Sequence, residues 1–82
     1  MIIKVEPKFY VNDEGAQAYQ VHSDPSGRWM VIVRFVMDQG VKIFDAATEE
    51  EAVAFLGKLM HVKLRGFQGI DCAKMSDETD LF

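Results

Sequence analysis

One cysteine, two prolines and two histidines in 82 residues leave little room for several kinds of chemistry. A lone Cys72 excludes a disulfide framework and a cysteine-based zinc site, and it fits a reducing cytoplasm. His22 and His61 are far apart in sequence and have no ligand-like spacing, so no metal site and no cofactor are expected. No apolar run approaches the ~18 residues that a membrane span needs. The opening stretch from Met1 to Pro7 has no signal-peptide hydrophobic region. Basic residues are also few. Nine Lys and Arg stand against thirteen Asp and Glu, for a net charge of −4. That excludes a uniformly basic coat and leaves room for a local basic patch.

The residues that are present describe a globule. Apolar residues make up 49%, aromatic residues 11% and charged residues 27% of the chain. A chain of this size buries only ~60–65% of its unfolded surface, enough for one sheet with one helix on it. The expected organisation is a single α+β domain over residues 1–70, followed by an acidic C-terminal tail over 71–82.

Hydrophobic period supplies the elements. Ile2 to Val11 reads as one strand, with Ile3, Val5, Phe9 and Val11 on one face and Lys4, Glu6, Lys8 and Tyr10 on the other. Pro7 lacks a ladder donor, which places this strand at an edge or puts a bulge there. Asn12 to Gly15 is a turn, and Ala16 to His22 a second strand. Ser23-Asp24-Pro25-Ser26-Gly27 is a strong turn. Arg28 to Met37 reads as a central strand that buries Trp29, and Asp38-Gln39-Gly40 as a tight hairpin leading into Val41 to Phe44. The period then changes. Thr48 and Glu51 form a capping box for a helix that runs to about Met60 or His61 and buries Ala52, Phe55, Leu56, Leu59 and Met60. Gly57 weakens this helix. Val62 to Arg65 reads as a short further strand. The expected fold is an antiparallel meander sheet of four or five strands with one helix on one face.

No nucleophile elbow, phosphate loop or zinc-protease helix is present, and no enzyme is expected. His22-Ser23-Asp24 reads as a histidine at a strand end beside a polar turn, and His61 as a helix C-terminal residue that meets the dipole. Charge placement says more. Alternation puts Lys4, Lys8, Tyr10, Arg34, Lys42 and Phe44 on the sheet face away from the helix, together with Met30, Ile32 and Val36. Cations there would hold phosphates, and Tyr10 and Phe44 would stack bases. The same face reads equally as a dimer or protein-binding surface, and a one-residue register slip would swap the faces.

The end of the chain, Ser76-Asp77-Glu78-Thr79-Asp80-Leu81-Phe82, resembles the C-terminal tail of bacterial and phage single-stranded-DNA-binding proteins, with Leu81 where those tails usually carry Pro. Glu78 to Phe82 also resembles the sliding-clamp-binding pentapeptide, with Glu78 in place of the usual first Gln. The resemblance implies partner recruitment through Asp77, Glu78, Asp80, Leu81 and Phe82. The strand and helix order is similar to single-stranded-DNA-binding sheets of the transcriptional-coactivator and Whirly type, which bind as dimers, and to small phage anti-CRISPR proteins. Two functions follow as expectations. One is a homodimeric, cytoplasmic protein that binds single-stranded nucleic acid, in the host cytoplasm if a phage encodes it. The other is an inhibitor that blocks a host nucleic-acid-processing protein through Asp13, Glu14, Asp24, Asp38, Asp45, Glu49, Glu50 and Glu51.

Overall fold

The alternation that begins at Ile2 is folded back on itself. In the structure, a computed structural model that describes residues 1–36 and 40–74, strand β1 (Ile2–Glu6) turns at Pro7-Lys8 and returns as β2 (Phe9–Asn12). Ile3 pairs with Val11 and Lys4 with Tyr10, and the register slips between Lys4 and Glu6. Pro7 therefore sits in a turn, where its fixed φ suits the bend and no ladder donor is missed. Strand β3 (Ala18–Ser23), β4 (Trp29–Arg34) and β5 (Gly40–Ala46) form an antiparallel sheet in the order β3-β4-β5. Strand β6 (Gly69–Asp71) lies parallel to β1 and completes the order β2-β1-β6. The fold is α+β as expected, but two three-stranded sheets replace the single meander. The cause is the hairpin at Pro7: β1 takes β2 on one edge and β6 on the other, so β3 starts a separate sheet.

Helix α1 (Glu49–Leu64) begins at Thr48, whose Oγ1 accepts from the Glu51 amide at 3.2 Å. Ala52, Phe55, Leu59 and Val62 are buried at helical spacing, and this stripe packs on β3, β4 and β5. The helix runs past His61, so Val62 to Arg65 are not a strand. Val62 adds a fourth buried residue to the stripe, and the packing it gains outweighs the β preference of a single Val. The stop comes at Gly66, whose φ of 82° is the left-handed conformation that glycine adopts without strain. The Gly66 amide donates to the Lys63 carbonyl at 3.0 Å and the Phe67 amide to the Val62 carbonyl at 3.3 Å, a Schellman closure.

Gly57 is exposed in mid-helix, and a Cβ built on it meets nothing within 4 Å. Gly57→Ala should therefore stabilise the protein by about 0.5–1 kcal/mol, read as a higher denaturant midpoint at unchanged slope.

One cluster of buried side chains draws on every part of the fold. It takes Ile3, Val11 and Ile70 from the first sheet, Val31, Val33 and Ile43 from the second, and Ala52, Phe55, Leu59 and Val62 from the helix stripe. Trp29 is only half-buried. Beyond β6 a 3-10 turn (Cys72–Lys74) follows. Ile70 and Cys72 both belong to the core, so the fold continues past residue 70, where the tail was expected to begin. Asp38 and the tail residues Asp77, Glu78, Asp80, Leu81 and Phe82 lie outside the described residues. Among the described residues no helix is long and apolar enough to cross a membrane.

Candidate interaction surface

The two sheets divide the six residues expected on one basic, aromatic face. Lys4 and Tyr10 are cross-strand neighbours in the first sheet, and Lys8 is in its turn. The Lys4 ammonium lies 3.7 Å from the carboxylate of buried Asp71. Arg34 and Lys42 belong to the second sheet. Phe44 points the other way. Its ring stacks on Phe55 with centroids 4.1 Å apart and planes 4° from parallel. The register explains this. Val31 pairs with Phe44 but Ile32 pairs with Lys42, so Ile43 is an extra residue in β5. The bulge shifts the alternation, turning both Ile43 and Phe44 toward the helix. Phe44 is thus half-buried against the helix and does not share the face expected for it with Arg34 and Lys42.

Among the described residues no helix or strand packs over the side of β3-β4-β5 away from α1. By register it carries Gln20 and His22, then Met30, Ile32 and Arg34, then Lys42 and Asp45. Met30 and Ile32 are half-buried at its centre. Arg34 Nε donates to Gln20 Oε1 at 2.6 Å, and His22 Nε2 lies 3.1 Å from the same oxygen. A Cβ at Gly40 would come within 3.1 Å of the Ile32 side chain and 3.3 Å of the Arg34 guanidinium. Glycine there leaves the space in which Arg34 lies against the sheet. Asp45 pairs with Arg28 at 2.8 Å and Lys42 at 3.6 Å. The face thus has an apolar centre and a polar rim in which the cations Arg34 and Lys42 stand with the acid Asp45.

The acids assigned to an inhibitory surface are in part engaged within the chain. Asp24 caps its own turn: its Oδ1 accepts from the Ser26 amide at 2.8 Å, the Ser26 hydroxyl at 2.5 Å and the Arg28 amide at 3.1 Å. The Ser26 hydroxyl is foremost among the contacts that hold the Asp24 carboxyl below its ordinary range. Glu14, Glu49, Glu50 and Glu51 are exposed.

Asp13 is buried, its side chain only 1% exposed. Its carboxylate accepts from the Met1 ammonium at 2.9 Å, from the Tyr19 hydroxyl at 2.5 Å, and from the Lys63 ammonium. Burial pushes the Asp13 carboxyl up, but the hydrogen bonds from Lys63, Tyr19 and the terminal ammonium outweigh it and hold the group below its ordinary value. Tyr19 is raised by burial and by its bond to Asp13. Burial works against the Lys63 charge, and its bonds to Asp13 and Tyr19 more than offset that, so it too is raised. This anchor joins the start of the chain, the β2–β3 link, β3 and the end of α1. Sequence reading placed Asp13 in a turn. No local signal marks its partner Lys63, which lies fifty residues away in the last helical turn.

Beside Phe44 the surface is grooved. A cavity of ≈ 510 Å³ opens between Phe44, Phe55, Ala54 and Ala73, with Glu51 and Lys58 on its helix wall. Another, of ≈ 410 Å³, separates β5 from Val5, Glu6 and Phe9 of the hairpin. Cys72 lines both, yet the residue is 7% exposed, and burial together with Asp71 pushes its thiol up to about 12. The thiol is therefore protonated at neutral pH. Labelling of native protein by a disulfide reagent at pH 7.5 should proceed at least about a hundredfold more slowly than labelling in denaturant, since a reagent must wait for the thiol to be exposed and ionised.

Among the described residues no group of three or more His, Cys, Asp or Glu side chains is placed to hold a metal ion. Comparison with family models, with curated proteins and with solved structures finds no match for this chain.

Proposed function

We propose that this is a binding protein and not an enzyme, which engages another protein through the open side of β3-β4-β5. The observation that carries the reading is the arrangement of that face. Among the described residues Met30 and Ile32 sit half-buried at its centre with no helix over them, and Gln20, His22, Arg34, Lys42 and Asp45 surround them. Arg34 is already fixed by Gln20 and by the space at Gly40, so little side-chain freedom is lost when a partner docks on it. The rim favours a partner with an apolar centre and acidic surroundings. A single strand of nucleic acid would meet Arg34 and Lys42 here, but none of the rings expected to stack its bases: Tyr10 is in the other sheet and Phe44 faces the core.

A photo-crosslinking amino acid at Ile32 tests this in lysate of the source cells. The expected result is a discrete protein adduct, lost when Arg34→Glu is added, and absent when the crosslinker sits at exposed Val53 on the helix. The same adduct from both positions would overturn the reading. A fluorescent oligonucleotide that binds wild type at low salt and loses affinity with Arg34→Glu would replace it with nucleic-acid binding.

A further inference from the structure

The sheet β3-β4-β5 has two edges, and they are treated differently. The β5 edge carries a bulge and faces Val5, Glu6 and Phe9 across a narrow groove. The β3 edge has no strand beside it among the described residues. Nor does β3 carry the usual protections. Ala18–Ser23 contains no Pro, no Lys and no formally charged side chain, and its register with β4 runs without a slip from Ala18 to Ser23. The irregularity lies just before it, where the Gln17 amide donates to the Arg34 carbonyl at 2.7 Å although Arg34 pairs with Ala18. An unprotected regular edge is a template for another strand.

The hydrogen-bond pattern says what fits it. The Asp24 amide donates to the Arg28 carbonyl at 2.8 Å, in line with the β3–β4 register. Antiparallel pairing alternates, so His22, Gln20 and Ala18 turn their backbone groups toward β4. Tyr19, Val21 and Ser23 turn theirs outward. On the helix side, Tyr19 and Val21 remain only half-buried, which leaves apolar surface at this margin.

We infer that β3 pairs antiparallel with β3 of a second copy about a two-fold axis at Val21. This register uses every outward backbone group. Val21 exchanges hydrogen bonds with Val21 of the second copy, and Tyr19 does so with Ser23 on either side of the axis. The two Val21 side chains cover each other beside the helices. On the open side Gln20 faces His22 of the second copy. No like charges oppose each other, because β3 has none. The result is one continuous six-stranded sheet whose open side doubles the surface described above. The pairing stands independently of what that surface binds.

Sedimentation of the full chain over a range of concentrations tests it. Wild type is expected to dimerise. Val21→Pro removes the central outward amide without touching the bonds to β4, and should raise the dissociation constant at least about tenfold. Pro also trims side-chain packing, so a charge series on the open side accompanies it. Gln20→Glu with His22→Glu sets like charges across the axis and should give monomer. Gln20→Glu with His22→Lys sets opposite charges there and should restore the dimer. Ile32→Asp, on the open face, should leave the dimer intact. In wild-type dimer the amides of Tyr19, Val21 and Ser23 should be protected from hydrogen exchange. A wild type that stays monomeric at high concentration overturns the proposal. So does a dimer that survives the paired glutamates and is lost with Ile32→Asp, since that describes face-to-face association.

Discussion

Asp13→Ala is expected to lower the unfolding free energy by about 3–5 kcal/mol, because it strands buried charge. The Met1 ammonium loses its carboxylate, and the Lys63 ammonium and Tyr19 hydroxyl lose theirs. A domain of this size is stable by roughly 4–12 kcal/mol in total, so the variant should melt far below wild type or fail to fold at 37 °C. Asp13→Asn keeps an acceptor of similar shape and should be less damaging. The same anchor sets a pH dependence. The Asp13 carboxyl is depressed in the folded protein, so its contribution is complete above the ordinary carboxylate value of 3.8 and is lost as pH falls through the lower folded value. Lys63 and Tyr19 are raised, so their contribution is complete below about pH 10 and is lost as pH climbs through their folded values. Thermal melts of wild type and Asp13→Asn between pH 2 and 5 should therefore converge toward the acid end. Parallel curves would show that Asp13 is not held as a carboxylate.

Phe55→Ala should cost about 3–5 kcal/mol. The ring is 4% exposed, sits in the middle of the helix stripe and stacks on Phe44. Its removal leaves a void open to the neighbouring groove and releases Phe44 from its partner. Phe55→Leu should cost less, losing mainly the ring stacking of about 0.5–1.5 kcal/mol and some volume. Val53 is 53% exposed on the same helix, and Val53→Ala should change stability by less than about 0.5 kcal/mol. Denaturant unfolding of the three variants gives the comparison. An unchanged midpoint for Phe55→Ala would mean that the helix is not held by this face.

The helix and its cap were legible in the sequence because Thr48, Glu51 and the spacing of Ala52, Phe55 and Leu59 are local signals. Its last turn was not, since Val62 and Leu64 resemble a strand until Gly66 is seen to supply the stop. The hairpin at Pro7 was hidden for a geometric reason. A turn at Pro7-Lys8 pairs Glu6 with Phe9 and by itself would set odd residues against even ones. The slip between Lys4 and Glu6 restores the parity and brings Ile3 opposite Val11, so a long strand and a hairpin give the same alternation there. The faces of β3 and β4 followed from period, which places Met30, Ile32 and Arg34 together. The bulge at Ile43 broke that rule in β5 and carried Phe44 inward. The partners of Asp13 were out of reach because Lys63 meets it only through tertiary structure.

The parallel pairing of β1 with β6 imposes an order on how the molecule is made. Strands β3, β4 and β5 are joined by short hairpins, and the helix follows at once, so this half can assemble from local contacts while the chain is still emerging. The edge of β1 that receives β6 must wait for Ile70, which pairs with Ile3. Closing a loop that long is the slow step expected of such a topology. Until then Ile3 and Val11 belong to a sheet of only two strands, which is marginal by itself. Ribosome-bound chains halted before Gly69 should therefore show a protease-resistant β3-to-α1 segment and a cleavable amino-terminal hairpin. Both should become resistant together once Asp71 has cleared the exit tunnel.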